Sequence, residues 1–151
     1  MRIADWILLA TFAFAWYGVG NVWLVQTVAW PLFGYVGQKE FEAYHQRWWD
    51  GIKTVILIPG GLAFVGGIAL LVFRPAGVSA SLIWAGVAVE GVVYVLTAVW
   101  YGPQQSRMHD TRLSIFNALN RTNWIRTALL TIYALIVLQA VIQRLGTITT
   151  G

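Results

Sequence analysis

Cysteine is absent from the 151 residues. That removes disulfides, thiolate metal sites and cysteine nucleophiles together, while saying nothing about compartment. Charge is nearly as scarce: 11% of residues are charged, against roughly a quarter in a soluble domain. So few charges cannot cover a water-soluble globule of this length. The sequence also holds no phosphate-binding glycine loop, no nucleophile–His–acid set and no zinc spacing.

What the chain has instead is apolar residues, 58% of the total, strung into long runs. Four runs each approach the roughly 20 residues that cross a bilayer's hydrocarbon. They extend from Trp6 to Pro31, Ile52 to Phe73, Ser81 to Tyr101 and Trp124 to Ile142. Arg2 ahead of the first run and Ala13-Phe14-Ala15 within it imitate a signal peptide. The run continues well past a secretory core of about 7–15 residues, so an uncleaved helix is expected. Arg74-Pro75 and Gly102-Pro103 punctuate the second and third runs, as a charge or glycine before a helix breaker should. The prediction is an all-α, integral membrane four-helix bundle over 1–151, a single transmembrane domain. Its helices are expected at about 5–31, 48–73, 80–101 and 112–144, with interfacial helical extensions on the cytoplasmic side.

The net charge of +4 does not point to nucleic acid, because the bases flank apolar runs. Arg2, Arg74 and Arg144 fall on the side of the termini. Lys39, Arg47, Lys53, Arg107, Arg112, Arg121 and Arg126 fall on the other. Counting bases puts the two long loops in the cytoplasm and both termini outside, in a multi-pass protein of the cell inner membrane. The nine Trp fit that layering. Trp6 and Trp84 lie at the outer ends, and Trp30, Trp48, Trp49, Trp100 and Trp124 at the inner ends, as interfacial belts require. In the second run, Ala63 and Gly67, beside Gly60, Gly61 and Gly66, allow close helix approach. Pro59 is expected to kink it.

Glu90 is the main anomaly. An ionised carboxylate at mid-membrane costs about 3 kcal/mol or more, and Tyr94, Thr97 and Tyr101 follow at i+4, i+7 and i+11. This stripe should turn inward, either for a proton-carrying or ligand-orienting role or to hold helices together. The first run adds Asn21 and Gln26, and the fourth adds Asn123, Arg126, Thr127 and Thr131. Lys53 and Arg126 either reach lipid phosphates or turn inward to an anionic or enolate-like group. Glu42 and His45 have an E-x-x-H spacing, which in di-iron bundles occurs twice. One copy, with His109 and Asp110 the only further candidates, favours a paired surface His over a metal or axial haem ligand. No metal and no cofactor are therefore expected.

Several short motifs resemble the anthrone-oxygenase-like family of small bacterial four-helix membrane proteins. These are Gly20-Asn21-Val22-Trp23 with Gln26 and Trp30-Pro31, Phe41 with Tyr44-His45, Thr97 to Pro103, and Arg121-Thr122-Asn123-Trp124-Ile125-Arg126. Together they span nearly the whole chain. The resemblance implies a four-helix fold and oxidation of polycyclic anthrones by O₂ without a known metal or flavin. It also implies a His shortly after Trp124, where this chain has Ile125, Arg126 and Thr127.

Two function classes follow. One is a pocket for a hydrophobic, partly aromatic small molecule of quinone or polyketide type, with oxidative chemistry as a cofactor-independent oxygenase. Its expected ligand residues are Asn21, Gln26, Trp30, Tyr94, Tyr101, Asn123 and Arg126, with Glu90, Tyr94 and Arg126 as catalytic candidates. The other is a non-catalytic accessory subunit packed against a larger membrane complex. A transporter of this size would have to associate as a homo-oligomer and ranks third. Partners are the lipid bilayer, a hydrophobic small molecule and other membrane subunits, and not nucleic acid.

Overall fold

Helix accounts for nearly all of the chain in the computed structural model, which describes residues 2–108 and 112–149 and, for 112–115 and 148, the backbone alone. Four helices are long and apolar enough to cross a membrane: α1 Ile3–Phe33, α2 Phe41–Val72, α3 Ala80–Ser106, and α4 Arg112–Thr149, which is apolar over Phe116–Thr147. The architecture is an all-α four-helix bundle with the composition of a multi-pass membrane protein. α1 packs against α2 and α4, and α3 packs against α4 and more lightly against α2. That lighter α2–α3 seam is where space is left inside the bundle.

Two apolar cores fill its ends. At the end carrying both termini, Leu8, Ala15, Leu70, Ile83, Tyr133 and Ala140 pack together. At the end carrying the connections after α1 and α3, Trp30, Phe33, Phe41, Met108 and Leu119 do so. Small residues permit the close contacts that the sequence predicts. A Cβ on Gly66 would strike the Thr11 hydroxyl of α1, and Gly67 of α2 and Gly86 of α3 both abut Tyr133 of α4. The Tyr133 hydroxyl donates to the Ala63 carbonyl at 3.0 Å. Thus the Ala63–Gly67 pair on α2 forms the seat for one large α4 side chain. In the turn between α2 and α3, only Gly77 adopts a positive φ, 83°.

Several helix ends lie beyond the expected bounds, α4 among them, which reaches Thr149. α2 begins at Phe41, not near 48, because 41–52 is amphipathic and buries Phe41 and His45 on one face. α1 runs through Pro31 to Phe33, and α3 runs through Pro103, where a stop was expected, to Ser106. Each proline is accommodated by a π-helical turn: Val25–Ala29 before Pro31, Lys53–Leu57 before Pro59, and Thr97–Tyr101 before Pro103. A helical proline lacks a donor and its ring collides with the carbonyl four residues earlier. Those carbonyls belong to Thr27, Val55 and Val99, the central residues of the three π turns. Widening the turn draws them away from the ring. The i→i−5 bonds from Trp30 N–H to the Val25 carbonyl and from Gly102 N–H to the Thr97 carbonyl show the wider pitch.

Trp6 and Trp84 are exposed at the terminal end, and Trp100 and Trp124 at the other. Trp30 departs from the expected belt. It is 1% exposed, enclosed by Phe33, Trp48 and Phe116 with ring centroids 5.6 to 6.2 Å apart.

Candidate functional site

The three π turns meet. Val25 from the first, Ile56 and Leu57 from the second, and Thr97 and Tyr101 from the third line one cavity of about 50 Å³. Arg126 of α4, Gln105, Trp48 and Trp49 complete it. Single π turns inside α-helices occur disproportionately at functional sites, because the extra residue re-aims side chains. Here each turn is placed by a downstream proline, so the cavity is an encoded feature of three separate helices.

A second cavity of about 70 Å³ shares Ile56, Leu57, Thr97 and Arg126 with the first and continues toward Tyr94 and Glu90. A third, of about 40 Å³, adjoins Glu90 from the side of α1, where Asn21, Tyr17 and Tyr133 line it. Glu90 therefore stands where the second and third spaces meet. Leu57, lining the first two, is 47% exposed on the outer surface. Both spaces therefore adjoin the outer surface of the bundle at Leu57.

Arg126 has turned inward. Its guanidinium lies over the Tyr101 ring at 4.8 Å, a favourable cation–π placement. Among the described residues it has no acidic partner and accepts no competing ion pair. The Tyr101 hydroxyl donates to the Thr122 carbonyl at 2.6 Å, fixing the ring under the guanidinium. Lys53, the other base considered for this role, stays at the surface, 3.1 Å from Asp50 and over the Trp49 ring.

The stripe on α3 faces the interior. Glu90 is 2% exposed, and its Oε2 has no hydrogen-bond partner among the described residues. The adjacent Tyr133 hydroxyl gives its one proton to Ala63. Tyr94 sits over Phe64 of α2, centroids 4.9 Å apart, and Thr97 donates to the Val93 carbonyl of its own helix at 2.7 Å.

The expected ligand residues divide into two groups. Tyr94, Tyr101 and Arg126, with Glu90, line the connected cavities, and Asn21 lines the third while donating to the Tyr17 carbonyl at 3.1 Å. Gln26, Asn123 and Trp30 line none of these three. Asn123 donates to Gln26 at 2.6 Å, and Gln26 donates to the Asn120 side chain at 3.0 Å. These two residues form a polar lock between α1 and α4. His45 is buried, stacked on Phe41 at 5.8 Å and beside Trp48 at 6.0 Å. No cluster of three His, Asp or Glu side chains occurs among the described residues; His109 and Asp110 lie outside them.

Sequence reading missed Tyr133, Gln105 and Ile56. Tyr133 lies seven residues after Arg126 and so shares its helix face, which is the signal that would have found it. Comparison with protein-family models, curated proteins and solved structures finds no match to this chain.

Proposed function

We propose that this chain is an inner-membrane protein that binds an apolar, partly aromatic small molecule of quinone or polyketide type in the α2–α3 seam. The observation that carries this reading is the convergence of three proline-directed π turns on one cavity, with a guanidinium in its wall that makes no ion pair among the described residues. The aromatic walls suit a flat ring system, and Arg126 suits a carbonyl, enolate or phenolate oxygen, since its five donors fit oxygen acceptors. In this reading the two longer connections are cytoplasmic, so the site lies in the cytoplasmic half of the membrane. Oxygen-dependent conversion of the bound molecule, the activity implied by the anthrone-oxygenase-like resemblance, is the reaction such a site would host.

The test is purification in mild detergent followed by solvent extraction and mass spectrometry. Wild type should yield an aromatic compound that is absent from Arg126→Ala purified at equal monodispersity. Equal content in both preparations overturns the site. Recovery of a stoichiometric membrane protein that shields the α2–α3 seam supports the accessory-subunit reading instead.

A further inference from the structure

The cavity between Arg126 and Glu90 contains one cation and one acid, and among the described residues neither makes an ion pair. Glu90 is 2% exposed with Oε2 unbonded, and Arg126 makes no ion pair among the described residues. Both line the same space of about 70 Å³. The other groups facing Glu90 carry no charge that would offset its own. α4 adds Tyr133, whose hydroxyl donates to the Ala63 carbonyl and lies in hydrogen-bond contact with the Glu90 carboxyl, and α1 adds Tyr17 and Asn21. α2 presents Ile56, Leu57, Gly60 and Ala63, none of them titratable, and α3 itself adds Tyr94.

We infer that an anionic ligand occupies the Arg126 cavity only when Glu90 carries a proton, so that the site takes lipophilic weak acids in a proton-linked manner. This rests on the ligand site proposed above. With Glu90 ionised, its charge already offsets that of Arg126 across an apolar space. An incoming anion would then place two negative charges against one positive charge where water cannot screen them. With Glu90 protonated, the anion compensates Arg126, the cavity is neutral, and the acid O–H becomes a donor for a second ligand oxygen. Per anion bound to the ionised protein, one proton passes from solvent to the Glu90 carboxylate and no other bond changes. A neutral ligand meets no such requirement.

The experiment measures equilibrium binding to the full chain in detergent by quenching of tryptophan fluorescence, since Trp48 and Trp49 line the cavity. The probes are a hydroxynaphthoquinone, ionised at neutral pH, and its neutral methyl ether. Wild-type affinity for the hydroxynaphthoquinone should fall as pH rises, approaching about tenfold per pH unit once Glu90 is ionised. Affinity for the ether should stay level. In Glu90→Gln both profiles should be level, with hydroxynaphthoquinone affinity retained at the low-pH wild-type value. A level wild-type profile for the anion, or a Glu90→Gln profile that keeps the slope, overturns the inference.

Should Glu90→Gln fail to fold, infrared spectroscopy of wild type decides. Adding the anion at alkaline pH should raise the protonated-carboxyl band, and adding the ether should not. An unchanged band overturns the proposal. Ether binding with pH-independent anion binding leaves the site standing and removes only the proton linkage. Failure of both probes at every pH removes the site as well.

Discussion

Asn123 donates to Gln26 across the α1–α4 interface at 2.6 Å, with Asn123 fully buried and Gln26 3% exposed. Gln26 in turn donates to the backbone carbonyl and side chain of Asn120 at 3.2 and 3.0 Å. The three amides form one network between the helices, in which Asn123 Oδ1 alone is left buried without a partner among the described residues, and we read its main role as holding α1 against α4. Asn123→Ala should therefore lower stability in detergent by about 0.6 to 2 kcal/mol, the range of interhelical bonds in membranes, read as a lower thermal midpoint. Ligand affinity of the folded fraction should not change. An affinity loss with unchanged stability would return Asn123 to the site.

A steric relationship gives a second expectation. The Thr11 hydroxyl, which donates to the Ile7 carbonyl at 2.8 Å, occupies the place of a Cβ at Gly66. Gly66→Ala should force α1 and α2 apart and lower the thermal midpoint. Thr11→Ala in the same molecule removes the obstructing oxygen and should restore much of it. A double variant no better than the sum of its parts would mean that the helices meet differently.

Orientation is tested separately. Arg144 holds Asp5 through Nε at 2.6 Å and Nη2 at 3.2 Å, and approaches the Ala76 carbonyl at 3.5 Å. Both ends of the chain and the α2–α3 turn thus share one face of the bundle. Seven of the ten bases lie toward the opposite face, which predicts a periplasmic C-terminus. An alkaline phosphatase fusion at the C-terminus should be active; activity from a cytoplasm-only reporter at that position would invert the assignment.

Much of this was legible in the sequence because helical periodicity alone determines it. The apolar runs locate four helices, and Glu90, Tyr94, Thr97 and Tyr101 mark an inward stripe whatever the neighbours are. The relative rotation of two helices is not written in either one. Gln26 and Asn123 therefore read as ligand contacts from their own helices, and their pairing with each other shows only once the helices are assembled. Likewise Trp30 had the position of a belt residue, and its burial depends on where the 41–52 segment folds back to place Trp48. Pro103 read as a terminator because local rules do not say whether a helix will absorb a proline in a π turn or end before it.

The prolines supply the last prediction. If Pro59 and Pro103 create the π turns that shape the cavity, alanine at either position should let the turn rewind to α-helix. One residue removed from a turn rotates everything beyond it by about 100° relative to the preceding segment. For α3 that turns Tyr101 away from Arg126 or Thr97 away from the shared wall, because the two lie at opposite ends of Thr97–Tyr101. The backbone itself should not suffer: alanine restores a donor and has the highest helix propensity, with proline roughly 3 kcal/mol worse in a helix interior. Pro103→Ala should therefore match or exceed the wild-type thermal midpoint while losing at least about tenfold in ligand affinity, a change of roughly 1.4 kcal/mol. Pro59→Ala should behave alike through Ile56 and Leu57, which line both cavities. Pro75 lies in the α2–α3 turn, outside any π turn, so Pro75→Ala should leave affinity intact. Wild-type affinity in Pro103→Ala, with its helix shown to be rewound by backbone hydrogen exchange, would mean that the π turns merely tolerate the prolines and do not build the site.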